Sequence, residues 1–318
     1  MTMTEYGTLS VRHLTSIAEL ERKDVDTIFA LAKRVKAERY TFPKVLAGRR
    51  LMMLFEKESL RTRVTFDVAM QDLGGSAIYI DQQDVRLGAR EALKDVARNL
   101  SRWCHGIVAR TYRHRTVLDL ATHAEIPVVN GLTDFLHPCQ GLTDFFTMTE
   151  VFGSVQGRTL AYVGDGNNTC HSLIHCAALL GCHIRVAGPE GYEPNSKVVN
   201  HAMRIAKETG SEVTILEDPL QAVEGADAVY TDVWASMGQE EETEERAERF
   251  SPYRVDSELM AAAKPGAIFL HCLPAHRGAE VTSDVIDSDS SKVLQNAENR
   301  LHVQKAILVL LMGQYPLA

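Results

Sequence analysis

The sequence contains no run of apolar residues long enough to cross a bilayer, which argues against a membrane-spanning helix. Its six cysteines (Cys104, Cys139, Cys170, Cys176, Cys182 and Cys272) form no C-x-x-C pair, so no disulfide framework is expected and the thiols read as reduced. The phosphate-binding pattern G-x-x-x-x-G-K-[ST] is missing, which weakens a nucleoside-triphosphatase reading. Residues 1–11 are polar and show no basic segment followed by an apolar one; no secretory signal is read, and a cytoplasmic protein is expected. No internal repeat or low-complexity linker interrupts the chain. Positive charge is in deficit, with 34 Lys and Arg against 42 Asp and Glu and a net charge of −8. That balance argues against nucleic acid as a partner. An acidic protein that binds anions must gather its cations locally, so clustered arginines are the places to look.

What is present is an ordinary globular composition, 45% apolar and 24% charged, in 318 residues. The length suits two domains better than one core. Helical periodicity appears within 15–38, and short apolar strands at 50–55, 77–80, 106–109 and 126–129 alternate with helices from Ser59, over 89–103 and over 116–122. A helix over 142–152 bridges to a second run, with strands at 159–163, 184–187, 213–216, 228–230 and 267–270. Helices are read at 169–180, 198–209 and 300–312. Regular strand–helix alternation predicts an α/β protein of two domains, each a parallel sheet flanked by helices. Ligands in such sheets bind beyond the carboxyl ends of the strands.

Four segments follow strands and carry chemistry. Ser59-Leu60-Arg61-Thr62-Arg63 offers a helix cap, hydroxyls and guanidinium charge, a recipe for holding phosphate at a helix N-terminus; alone it is equally a plain cap with two surface arginines. Asp134-Phe135-Leu136-His137-Pro138-Cys139-Gln140 places His137 and Gln140, both able to donate to a carbonyl oxygen, at the mouth of a helix, although a lone histidine is more often a hydrogen-bonded structural residue than a catalyst. Asp232, with Ser236 and Met237 beyond it, suits an amino-acid head group, and the acidic run 240–245 after it reads as a solvated mobile loop. His271-Cys272-Leu273-Pro274-Ala275-His276-Arg277 joins a thiol to imidazoles and a guanidinium, in a spacing that matches no zinc signature. Two other features read as distractors. Gly164-Asp165-Gly166-Asn167-Asn168-Thr169 lacks the third glycine of a dinucleotide loop and carries an acid where a pyrophosphate would sit, so its asparagines read as donors to a small ligand. His171 and His175 are spaced i, i+4 but have no third metal ligand, and packing is the preferred reading.

Taken in order, these segments, with Phe55-Glu56-Lys57 and Glu298-Asn299-Arg300, resemble the transcarbamylase family, nearest its ornithine-using members. The resemblance implies a carbamoyl phosphate-binding domain over 1–146, completed by a C-terminal helix at 299–318, and an ornithine-binding domain over 147–298. It implies that Ser59, Leu60, Arg61, Thr62, Arg86, Arg110, His137, Gln140, Cys272, Leu273 and Arg300 hold carbamoyl phosphate. Asn168, Asp232, Ser236 and Met237 would hold ornithine, and Arg110, His137, Asp232 and Cys272 would act in catalysis. It further implies no metal or organic cofactor, no membrane partner, and a homotrimer or a multiple of trimers with active sites at subunit boundaries. The expected reaction passes the carbamoyl group from carbamoyl phosphate to the side-chain amine of L-ornithine, giving L-citrulline and phosphate.

Two positions depart from the family pattern. Leu60 replaces a hydroxyl residue, and Arg86 stands in Arg86-Leu87-Gly88 where a glutamine is usual. Putrescine or another amine as acceptor would leave Asn168 and the Ser236-Met237-Gly238 segment without a head group to hold. A non-catalytic paralogue that lost activity through Leu60 and Arg86 would bind the substrates without making citrulline. An aspartate-using enzyme is disfavoured by Cys272 and the Asp232, Ser236, Met237 set.

Overall fold

The computed structural model describes residues 6–81, 87, 91–235 and 243–313. The chain divides into two compact units, Met1–Leu142 with Asn299–Ala318, and Thr143–Glu298.

In the first unit, α1 (Arg22–Ala37) is followed by β1 (Arg50–Phe55), α2 (Leu60–Asp72), β2 (Ser76–Asp81), α3 (Leu93–Trp103), β3 (Gly106–Arg110), α4 (His114–His123), β4 (Val128–Leu132) and α5 (Pro138–Phe152), within which the unit boundary falls. The four strands run parallel in the order β2-β1-β3-β4. Parallel neighbours need a crossover between them, and the helices that supply it bury the sheet. Met52, Leu54, Ile107 and Ala109 pack on Leu100 of α3 and Val117 and Leu120 of α4. β1 therefore reads as an unbroken apolar run rather than an alternating one. β4 lies two residues later than the 126–129 expected. It continues through Asn130 and Gly131, and a Cβ at Gly131 would come within 3.1 Å of Val108 Cγ1. Gly131 is thus a point of close strand packing.

In the second unit come β5 (Thr159–Val163), α6 (Asn168–Leu180), β6 (His183–Ala187), α7 (Ser196–Thr209), β7 (Val213–Leu216), α8 (Pro219–Val223), β8 (Ala228–Thr231), α9 (Thr243–Phe250), α10 (Ser257–Ala261), β9 (Ile268–His271), α11 (Ser283–Ile286) and α12 (Val293–Met312), which crosses back into the first unit. The sheet is again parallel, ordered β7-β6-β5-β8-β9. α12 begins seven residues before the expected 300–312, because its first turns are too polar to show an apolar face. The acidic run is corrected too: from Thr243 it is helix α9, with Glu245 paired to Arg249 at 3.2 Å, while 240–242 lie outside the described residues.

The strand order reverses between β1 and β3 in one unit and between β5 and β8 in the other. Those are the two topological switch points, beyond whose carboxyl edge parallel sheets of this kind place their ligands.

Candidate active site

Beyond β1, Ser59 adopts an extended conformation and caps α2, its Oγ accepting from the Thr62 N–H at 3.2 Å. The remaining first-turn N–H groups and the helix dipole make this end attractive to an anion. Thr62 is fully buried, and its Oγ1 accepts from Arg300 Nη2 at 2.9 Å, which ties α12 to α2. Arg110 ends β3 and is also buried. His137 lies just before α5, where its carbonyl accepts from the N–H groups of Gln140 and Gly141, both at 3.1 Å. Burial first, then the charges of Arg300, Arg110 and Arg61, push the His137 imidazole well below its ordinary 6.5. It is therefore neutral at neutral pH, able to donate one N–H without carrying a charge. Arginines from three separate segments thus act on one buried ring within this unit.

Arg63 belongs elsewhere: its guanidinium stacks 3.8 Å from the centroid of Tyr79. Leu60, the first residue of α2, is 76% exposed and brings no polar side-chain atom to the helix mouth. Beside it a cavity of about 390 Å³ opens among Phe55, Ser59, Leu60, Arg63, Tyr79 and Asp81. Cys139 is buried, which pushes its thiol up to about 12 and makes it inert.

In the second unit, Asp232 follows β8 and is 5% exposed. Its Oδ2 accepts from Asn167 Nδ2 at 3.0 Å and its Oδ1 from the Val233 N–H at 2.8 Å. The Cys272 thiol donates to Oδ1 at 3.0 Å. Asn167 also caps α6 through Oδ1, accepting from the N–H groups of Thr169 and Cys170. The Asn167–Asp232 bond therefore spans the β5/β8 switch point, with Asn168 in the first turn of α6 beside it. This corrects the reading of Asn167 as a ligand donor: it is committed to the protein. Gly166 is explained by packing, since a Cβ there would sit 2.2 Å from Pro194 N, and Gly164 by its φ of +140°.

After β9, the Leu273 N–H donates to His271 Nδ1 at 2.8 Å, and His271 Nε2 lies 3.4 Å from Glu280 Oε1, both side chains fully buried. Leu273 has φ +59°, in the left-handed region that non-glycine residues avoid, and the Leu273–Pro274 peptide is cis. The left-handed φ of Leu273 by itself costs about 1–3 kcal/mol and marks a residue that its surroundings over-determine. Among the described residues, Asp232, His271 and Cys272 form the one group whose possible metal-ligating atoms come together, within 4.8 Å. Cys272 Sγ already donates to Asp232 and His271 Nδ1 already accepts from the Leu273 N–H, while His271 Nε2 makes no hydrogen bond to Glu280. His171 and His175 are not part of such a group: His171 Nε2 accepts from the Asn195 N–H at 2.9 Å, and His175 packs edge-on against His201. Arg86, Ser236 and Met237 lie outside the described residues.

Sequence reasoning missed Arg246, Tyr162 and Glu280, and read Asp165 only as an acid that would repel a pyrophosphate. The ion pair of Arg246 with Asp165 at 3.0 Å joins positions 81 residues apart, and Arg246 sits in a charged run that gives no sign of burial.

The sequence matches two family profiles, described as the aspartate/ornithine carbamoyltransferase carbamoyl-P binding domain over residues 12–150 and the Asp/Orn binding domain over 156–311. It is 50% identical over 307 residues to an ornithine carbamoyltransferase of Thermococcus kodakarensis, covering 96% of this chain and 98% of that one. It is 47% identical over 317 residues to one from Anoxybacillus flavithermus, covering 98% and 100%. The solved ornithine carbamoyltransferase of Pyrococcus furiosus superposes with a TM-score of 0.93 at 49% identity, covering 96% of this chain and 98% of that one; that of Thermus thermophilus does so with 0.86 at 44%, covering 95% and 99%. Site geometry, matched profiles and near full-length identity agree that this chain belongs to the aspartate/ornithine carbamoyltransferase family.

Proposed function

We propose that the chain transfers the carbamoyl group of carbamoyl phosphate to the side-chain amine of L-ornithine, releasing L-citrulline and phosphate. The observation that carries this reading is the gathering of Arg61, Arg110 and Arg300 around a neutral, buried His137 in a chain of net charge −8. Such a set fits a small dianion bearing a carbonyl. The identity of about 50% to ornithine carbamoyltransferases over nearly the whole chain supports ornithine as the acceptor.

In this reading the first unit binds carbamoyl phosphate. Ser59, Thr62, the Leu60 N–H and Arg61 hold the phosphate, with Arg300 behind them, while Arg110 bridges phosphate and carbonyl. His137 and Gln140 donate to the carbamoyl group. The second unit binds ornithine through Asn168 and Asp232, with Ser236 and Met237 completing the head-group site. Cys272 and Leu273 border the reacting groups, and Arg86 reaches the phosphate of a neighbouring subunit.

The acceptor amine titrates near lysine, about 10.4 in water, so attack requires that it lose a proton. Asp232 orients it and accepts that proton, directly or through solvent. The amine nitrogen then bonds to the carbamoyl carbon, and Arg110 and His137 stabilise the oxyanion. Losing one such donor typically costs about 10²–10³ in rate. The carbon–oxygen bond to phosphate breaks, the second proton of the attacking nitrogen passes to the departing phosphate, and phosphate leaves toward Arg61 and the α2 N-terminus. Cys272 is not a nucleophile here: its S–H is spent on Asp232, and direct transfer needs no covalent enzyme intermediate. An acyl phosphate is already activated, so no step calls for a metal or an organic cofactor.

We assign the chain to a homotrimer in the cytoplasm. Among the described residues no helix is long and apolar enough to cross a membrane. Leu60 and Val64 of α2 and Ile78 of the edge strand β2 are exposed at 76%, 46% and 42%, an apolar flank suited to burial against a second copy. Light scattering reads the mass directly. The activity is tested by colorimetric citrulline formation with purified protein; faster turnover of putrescine than of ornithine would reverse the choice of acceptor.

A further inference from the structure

Arg246 is an unusual residue for the middle of a short charged helix, α9. Its side chain is 7% exposed although its neighbours Glu244, Glu245 and Arg249 face solvent. One Nη1 donates to Asp165 Oδ2 at 3.0 Å and to the Trp234 carbonyl at 2.9 Å. The guanidinium lies 4.9 Å from the Tyr192 ring centroid and 5.9 Å from that of Phe250. One group thus joins four pieces of the second unit: the turn after β5, the segment after β8, the loop before α7, and α9 itself.

Two of those pieces carry the proposed ornithine-binding residues. Asp165 is the second residue of the turn that ends in Asn167 and Asn168. Its carbonyl accepts from the Tyr162 hydroxyl at 2.8 Å and from the Asn167 N–H at 2.7 Å, so the position of Asp165 sets that of Asn167. Asn167 in turn fixes Asp232 at 3.0 Å. Trp234, held by its carbonyl, is two residues beyond Asp232. Arg246 therefore grips both ends of the Asn167–Asp232 link without touching either residue. Both hydrogen bonds leave from one nitrogen, so what sets arginine apart here is the planar remainder of the guanidinium against the Tyr192 and Phe250 rings, where a lysine offers only a point charge.

We propose that Arg246 is a positioning residue for the amino-acid substrate, holding the β5 turn and the segment after β8 in the spacing that Asp232 and Asn168 need to bind it. The proposal rests on ornithine being that substrate.

The test compares Arg246→Met, which keeps the stem and removes the charge, with Arg246→Lys and with Asp165→Asn alone and combined with Arg246→Met. Citrulline kinetics give KM for each substrate, and calorimetry gives L-ornithine affinity directly. Arg246→Met should raise the ornithine KM by about tenfold to a hundredfold while KM for carbamoyl phosphate stays within about twofold, as expected when a binding group is displaced rather than removed. Arg246→Lys should recover part of the loss. The double variant should be less impaired than the two singles predict, since both act through one link. Equal losses for both substrates, or a fall in kcat with both KM values unchanged, would overturn the proposal. If Arg246→Met does not fold, the lysine variant decides: an ornithine KM equal to wild type also overturns it. A wild-type protein that makes no citrulline but binds ornithine would refute the proposed reaction, and the calorimetric comparison would still decide the role of Arg246.

Discussion

Thr62→Val is the smallest change that reaches the centre of the proposed phosphate site. Thr62 is fully buried, its N–H is capped by Ser59, and its Oγ1 accepts from Arg300 Nη2 at 2.9 Å. That oxygen accepts from Arg300, which leaves the hydroxyl proton to donate, in the proposed reading to a phosphate oxygen. Valine keeps the shape and deletes both roles. A hydrogen bond to a charged group contributes about 1.5–3 kcal/mol, so losing it should raise KM for carbamoyl phosphate by about tenfold to a hundredfold. Thr62→Ser restores the hydroxyl and should return most of the affinity. The assay is initial-rate citrulline formation at saturating ornithine with carbamoyl phosphate varied. The reasoning fails if KM for carbamoyl phosphate stays within about twofold of wild type, or if the loss falls on ornithine instead.

Other outcomes follow from the same geometry. Cys272→Ser keeps a donor to Asp232 and should retain activity to within about tenfold, whereas a covalent nucleophile would lose at least about 10³ in kcat. Asp232→Asn should lower kcat/KM for ornithine by about a hundredfold and leave carbamoyl phosphate binding nearly intact in calorimetry. Burial, and then His201 and His171, lower His175 to about 4. Its depressed folded value means that its contribution is fully present above pH 6.5 and is lost as pH falls toward about 4, by roughly 3 kcal/mol. Denaturant midpoints of His175→Gln should accordingly fall less steeply than wild type over that window. Asp227 is held by Arg158 and Lys264, both at 2.8 Å, and by the Thr159 N–H, so Asp227→Ala should cost about 2 kcal/mol in the same measurement without changing either KM.

Strand and helix order was legible because parallel strands buried on both faces write continuous apolar runs, as in Leu51 to Phe55, and because Ser59 and Pro138 mark helix starts. Elements whose signal is mixed were not. The first turns of α12 are polar, and β4 runs through Asn130 and Gly131, whose backbone is chosen by its neighbour Val108. The grouping of Arg61, Arg110, His137 and Arg300 was legible only as an ordered set of motifs, since no single segment distinguishes a phosphate-facing arginine from Arg63 on Tyr79. Arg246 left no trace at all: a lone arginine among glutamates looks solvated, and only the fold brings Asp165 to it.

The central claim is that guanidinium groups from distant segments serve one ligand. Titration calorimetry of carbamoyl phosphate, without ornithine, against wild type and Arg61→Met, Arg110→Met and Arg300→Met tests it most directly. Each variant should bind at least about tenfold more weakly, the loss of one charge-assisted contact. Wild-type affinity in any two of them would contradict the account.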